Sequence, residues 1–300
     1  MKLILPRVQA GAALLDGNVV GSLDDLALVA RGVVEGFLNG LHRSPFLGHS
    51  SEFDSYRPYI PGDNLRHLDW RVWGRTDKLY VKQFEESTNL RGQILLDTSA
   101  SMAFGTPEKF GYARILAAAL AYLMAHQHDA PGLILFGERA VQALPSQAHG
   151  AQLEELLNAL ANAVPSGRTL EIPGLAQAMS SRRRGLAVVI SDLLSPKRFI
   201  FDLLRQLQLQ HQELLVFHVV APEEIDFGFQ ENFEFEDAES GQKIRLHASA
   251  FRDEYLKRFR AFLAESKRQC EQLEADYCLL RTDKPLQTAL AAYLETRMED

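Results

Sequence analysis

Asp97, Ser99 and Ser101 alternate directly after the apolar run Ile94-Leu95-Leu96. A short apolar run of this kind reads as the end of a buried strand, and ligands of α/β folds sit beyond the carboxyl ends of strands. The three side chains offer only oxygen, with no His or Cys beside them. Such donors suit a hard cation: Mg²⁺ first, Mn²⁺ or Ca²⁺ as alternatives, and zinc poorly. Asp and Ser also cap helices that follow strands, so the string alone fits two roles. Thr169 and Asp192 extend it. Thr169 follows Ser166-Gly167-Arg168 between two helical patterns, and Asp192 follows the apolar run Leu186 to Ile190 with Ser191 between them. Both are expected at the sheet edge that carries Asp97.

In that order the five residues resemble the metal-ion-dependent adhesion site of von Willebrand factor A and integrin inserted domains, where Asp-x-Ser-x-Ser is followed by Thr and then Asp. The resemblance implies a cation held by the two serine hydroxyls. Thr169 and the two aspartates then lie in the inner or outer shell, the carboxylates often acting through water. Mg²⁺ demands octahedral oxygen coordination and keeps several waters. An ion left short of negative charge can therefore accept a Glu or Asp from a partner protein.

The elements that must position these residues are legible as patterns. After Arg91, strand-like runs alternate with helical ones, the signature of a mostly parallel, doubly wound α/β sheet with helices on both faces. Strands are expected at Gly92 to Leu96, Gly132 to Phe136, Ala140 to Ala143, Leu186 to Ile190, Leu214 to Val220 and Tyr277 to Leu280. Helices are expected at Lys109 to His126, Ala151 to Ala163, Ile172 to Ser180, Pro196 to Leu207, Ala250 to Leu273 and Pro285 to Thr296. Only Gly137-Glu138-Arg139 separates the second and third strands, so they should form an antiparallel hairpin at one edge. A further hairpin, turning at Ser240-Gly241, is expected between Pro222 and His247.

Ahead of this domain, Leu23, Leu26, Val29, Val33, Phe37 and Leu41 recur at helical spacing. Gly32, Gly36 and Gly40 share another face, which predicts close helix packing; Asp24, Asp25, Arg31 and Glu35 argue against a lipid-buried seam. From residue 42 to 90, Pro45, Gly48, Pro58, Pro61 and Gly62 break the chain into short stretches, so a small β-rich subdomain is expected. Arg57, Tyr59, Gly62-Asp63, Arg66 and Asp69-Trp70, with Phe53 before them and Arg75 after, resemble the bacterial DUF58 family, in which this signature precedes a von Willebrand A domain. Two units follow: residues 1–90 with the helix and signature region, and 91–300 with the α/β domain. The resemblance implies association with MoxR-type AAA+ ATPases. The signature's charges alternate around Tyr56, Tyr59, Trp70 and Trp73, an arrangement that favours pinning one unit to the other over catalysis.

A formal net charge of −7 disfavours nucleic acid as a partner, and Arg182-Arg183-Arg184 reads as a solvated helix end. Two cysteines, Cys270 and Cys278, make no disulfide framework, and no apolar run approaches the roughly 20 residues of a membrane span. A cytoplasmic protein without membrane insertion is expected. Phosphate-loop, nucleophile-elbow and zinc-protease motifs are missing from the sequence. The competing enzyme reading is a haloacid dehalogenase-like hydrolase with Asp97 as nucleophile. That chemistry needs a second Asp two positions on, where this chain has Ser99. The expectation is a non-enzymatic, cation-dependent adaptor that links a MoxR-type ATPase to a client protein.

Overall fold

A computed structural model describes residues 23–42, 56–58, 80–82, 90–137, 142–148, 150–167, 184–194, 199–228, 232–236 and 243–298. The chain begins with helix α1 (Leu23–His42) and the short strands β1 (Tyr56–Pro58) and β2 (Tyr80–Lys82). These two strands pair antiparallel, with Arg57 opposite Val81. Then come β3 (Arg91–Asp97), a 3-10 turn at Ala100–Ala103, α2 (Lys109–His126), β4 (Ala130–Phe136), β5 (Gln142–Leu144) and α3 (Gly150–Asn162). The second half carries β6 (Leu186–Ser191), α4 (Phe199–Leu209), β7 (Glu213–Val220) and the single turn α5 (Pro222–Asp226). It closes with β8 (Asn232–Glu236), β9 (Lys243–His247), α6 (Ala248–Gln272), β10 (Asp276–Arg281) and α7 (Gln287–Met298).

Six strands form the main sheet in the order β10-β7-β6-β3-β4-β5. All neighbours run parallel except β4 and β5, which pair antiparallel with Ile134 opposite Ala143. The expected edge hairpin is therefore present, its outer strand set at Gln142–Leu144. The hairpin expected between Pro222 and His247 is β8 with β9, Phe235 facing Ile244.

The central strands are apolar throughout because both sheet faces are covered. Ile94 and Leu96 point into one core with Val188, Ile190, Phe217 and much of α2; Leu95 points into the other with Val189, Val216 and Leu203, Leu204 and Leu207 of α4. The period-2 alternation of strand side chains sorts these residues. Helix α2 is buried almost all round, from Phe110 to Met124, as a helix apolar on every face must be. It is covered on its far side by α1, which also lies against α3 and α7.

Helix α1 turns inward a stripe that overlaps the one expected: Leu26 and Phe37 are buried, joined by Ala30 and Val34, while Leu23, Val29 and Val33 pack half-buried against the same core. The glycine-face expectation is corrected here. Gly32 and Gly36 are exposed, and a Cβ on either would meet no described atom within 4 Å. The helical phase that seats Leu26 against α2 turns these glycines outward; Gly40 lies outside the residues whose side chains are described. Among the described residues no helix is long and apolar enough to cross a membrane. The helix expected at Ile172 to Ser180, Arg182 to Arg183, and most of the signature region also lie outside the described residues.

Candidate metal centre

Strands β3 and β6 are neighbours, with Leu96 beside Ile190, and their chains leave in opposite directions. The helix after β3 packs in one core and the helix after β6 in the other. The crevice between two such strand ends is where doubly wound sheets bind ligands. Asp97 ends β3, and Ser191 and Asp192 end β6, so the strand register alone brings the two aspartates together.

Asp97 is fully buried. Its Oδ1 accepts the Ser99 N–H at 2.9 Å and its Oδ2 accepts the Ser191 hydroxyl at 2.6 Å. Burial, then the neighbouring Asp192 charge, pushes its pKa up to about 6, against the pull of these hydrogen bonds.

The Ser99 and Ser101 hydroxyl oxygens lie 3.0 Å apart. That is the separation of adjacent corners of an octahedron with metal–oxygen bonds of about 2.1 Å. Ser99 is buried and Ser101 half-buried, so the pair spans from the aspartates toward solvent. Among the described residues no group of three or more His, Cys, Asp and Glu is placed to hold a metal; a cation here has to draw on hydroxyls. The donors fit a hard ion on that basis, with the Ser99 and Ser101 hydroxyls as the oxygens that would hold it.

Backbone ties hold the motif open. Thr98 donates from both its N–H and its hydroxyl to the Phe136 carbonyl, at 2.8 and 3.0 Å. The Ser166 N–H donates to the Thr98 carbonyl and the Ala100 N–H to the Gly167 carbonyl, each at 2.9 Å. The segment leading to Thr169 therefore starts against the motif, although Thr169 itself lies outside the described residues. After Asp192 the chain turns sharply, with Leu193 at a φ of 56°. Ser191 Oγ accepts the Leu193 N–H at 2.9 Å and Asp192 Oδ1 the Leu194 N–H at 3.1 Å.

Three residues bonded into this cluster escaped the sequence reading: Ser191, Lys109 and Glu224. The Lys109 ammonium is buried and donates to Asp192 Oδ2 at 2.8 Å and to Glu224 Oε1 at 2.7 Å. Burial alone would lower its pKa, but the two carboxylates more than offset this and the net direction is up. Glu224 Oε2 in turn accepts the Ala221 N–H at 2.7 Å, half of a helix-capping box. Gly105, at a φ of +100°, lets the chain after the 3-10 turn pass this corner; a Cβ there would sit 2.4 Å from Ala221 Cβ. Signals for two of these were present. A Lys at the first position of a helix opposes the helix dipole and asks for a partner, and Glu224 stands three residues after the N-cap of α5.

The strand order, with one antiparallel edge and the oxygen motif at its centre, defines a von Willebrand A-like α/β fold. The family described as "Protein of unknown function DUF58" matches residues 55–265, and the chain belongs to that family. A relative from Mycobacterium tuberculosis, the uncharacterized protein Rv1480, is 28% identical over 289 residues, covering 94% of this chain and 90% of its own. YeaD of Bacillus subtilis is 41% identical over 56 residues, 19% of this chain and 14% of that protein. Among solved structures, the conserved hypothetical protein BatB of Bacteroides thetaiotaomicron aligns with a TM-score of 0.45 and 14% identity over 70% of this chain and all of its own. The SpRpn10 VWA domain aligns with a TM-score of 0.39 and 12% identity, over 68% of this chain and 94% of that one.

Proposed function

We propose that this chain is a non-enzymatic, divalent-cation-dependent protein-interaction module. The observation that carries the reading is the meeting of Asp97, Ser99 and Ser101 with Asp192 across adjacent parallel strand ends. Mg²⁺, or Mn²⁺ or Ca²⁺ in its place, binds the serine hydroxyls with Thr169 completing the set, and a partner's Glu or Asp takes an open position. Phe104 and Leu194, about two-fifths exposed, follow the two halves of the motif and give such a partner an apolar rim to cover. Both Asp97 oxygens are engaged, Oδ1 by the Ser99 N–H and Oδ2 by the Ser191 hydroxyl.

From the DUF58 resemblance, the partner is a MoxR-type AAA+ ATPase, a client that the ATPase remodels, or both, in the cytosol, with this chain as adaptor in protein maturation or complex assembly. Calorimetry with Mg²⁺ tests the metal step. Ser99→Ala/Ser101→Ala should bind Mg²⁺ at least about tenfold more weakly than the wild type, since hydroxyls are its direct ligands. Equal uptake by two folded proteins overturns the reading. Retention of a purified MoxR-type ATPase in Mg²⁺ but not in chelator tests the partner.

A further inference from the structure

We propose that Lys109 is a positioning residue for this centre: its ammonium ties Asp192 down as an outer carboxylate and so keeps the bound cation open to a partner's carboxylate. The inference rests on the metal-binding reading of Asp97, Ser99 and Ser101.

The side chains of Lys109, Asp192 and Glu224 are 1%, 2% and 9% exposed. Each Asp192 oxygen already has a donor set by the fold, Lys109 on Oδ2 and the Leu194 N–H on Oδ1. Glu224 is fixed by Ala221 on its other oxygen. Lys109 therefore cannot swing away without leaving charges buried and unpaired, which is costly.

Taken as ionised, Asp97, Asp192 and Glu224 carry −3 and Lys109 carries +1, a sum of −2 that one divalent ion cancels. If Lys109 and Glu224 were both neutral, Asp97 and Asp192 would again sum to −2. The two arrangements differ only in what Asp192 Oδ2 is bonded to. Released from the ammonium, it is free to bond the ion directly. A carboxylate bonded directly lowers the ion's attraction for any further anion, whereas a cation held by hydroxyls and water retains it. Lys109 thus trades metal affinity for ligand affinity.

The test compares the wild type with Lys109→Met/Glu224→Gln, which preserves the cluster's total charge and most of its volume. The readouts are Mn²⁺ uptake by calorimetry and acetate titrated into the Mn²⁺-loaded protein. In the double variant, Mn²⁺ should bind about tenfold more tightly and acetate about tenfold more weakly, the lower end of what outer-shell changes do. Unchanged affinities in a folded double variant overturn the role of Lys109 and leave the metal reading standing. Failure of the wild type to take up Mn²⁺ overturns both. Should the double variant not fold, ¹⁷O-water broadening of the wild-type Mn²⁺ resonance decides: roughly three or more bound waters are expected of an octahedral ion held by hydroxyls, and fewer would show a carboxylate in the inner shell and overturn the proposal.

Discussion

At the scale of single residues, the chemistry divides into what neighbours in sequence share and what only the fold assembles. Asp97, Ser99 and Ser101 were legible because a strand end and its turn put alternate residues together. Lys109 was not, because its partners lie 83 and 115 positions further along the chain. His218 belongs to the same hidden class. It is fully buried on β7, its Nδ1 is 2.8 Å from the Tyr277 hydroxyl, and Phe262 meets it edge-on. Burial, only partly countered by the nearby Asp192 charge, pulls its pKa down to about 4. The folded value lies below the unfolded one of about 6.5, so the stability that comes from keeping His218 neutral is complete above that pH and is lost as pH falls toward 4. In chelator, urea unfolding of the wild type should lose about 2 kcal/mol more between pH 7 and pH 5 than His218→Gln does. The raised pKa of Asp97 acts in the opposite sense over pH 4 to 6, but it is common to both proteins and drops out of the difference. Parallel pH profiles for the two would mean that His218 takes up its proton over the same pH range folded as unfolded, and that burial does not hold it neutral.

At the scale of elements, most strands and helices of the α/β domain stand close to their expected bounds, because β-period and helix-period patterns are strong where both faces or one stripe are buried. Helix α6, expected from Ala250 to Leu273, runs from Ala248 to Gln272. The phase of α1 was harder to read. Its apolar residues are dense enough to offer two overlapping stripes, and only the surface of α2 and α3 selects Leu26, Ala30, Val34 and Phe37. The short α5 was missed because five residues carry no periodicity. Two substitutions of opposite sign follow for α1. Leu26→Ala removes a fully buried side chain and should cost about 2–5 kcal/mol in denaturant unfolding. Gly36→Ala meets open space and should stabilise by up to about 1 kcal/mol through helix propensity. A destabilised Gly36→Ala would instead restore the close-packing expectation for the glycine face.

At the scale of the whole molecule, sequence patterns indicated a parallel sheet but not its strand order. Order depends on which side each crossover takes, and alternating runs carry no such information. That order places Asp97 and Asp192 side by side. The whole-molecule charge also bears on recognition. With a net charge of −7, the protein as a whole repels an acidic partner, and a single bound dication reverses the sign only at one point on the surface. Binding of a partner carboxylate should therefore depend on the ion absolutely, not by degrees. Asp192→Asn keeps an oxygen for the Leu194 N–H while removing the charge, so it tests the centre without removing that hydrogen bond. Thr169→Ala tests the member of the set that comes from resemblance. Each should weaken binding of the proposed partner, a MoxR-type ATPase or its client, by about tenfold or more in Mg²⁺; in chelator Thr169→Ala should melt within a few degrees of the wild type for a change of about 1 kcal/mol, whereas Asp192→Asn removes the charge paired with buried Lys109 and should melt lower. Wild-type binding should vanish in chelator and should not return when salt screens the repulsion, because screening removes an obstacle without supplying the bond. Equal affinity of all three proteins in Mg²⁺ and in chelator would exclude a metal bridge and leave the partner to a cation-independent surface.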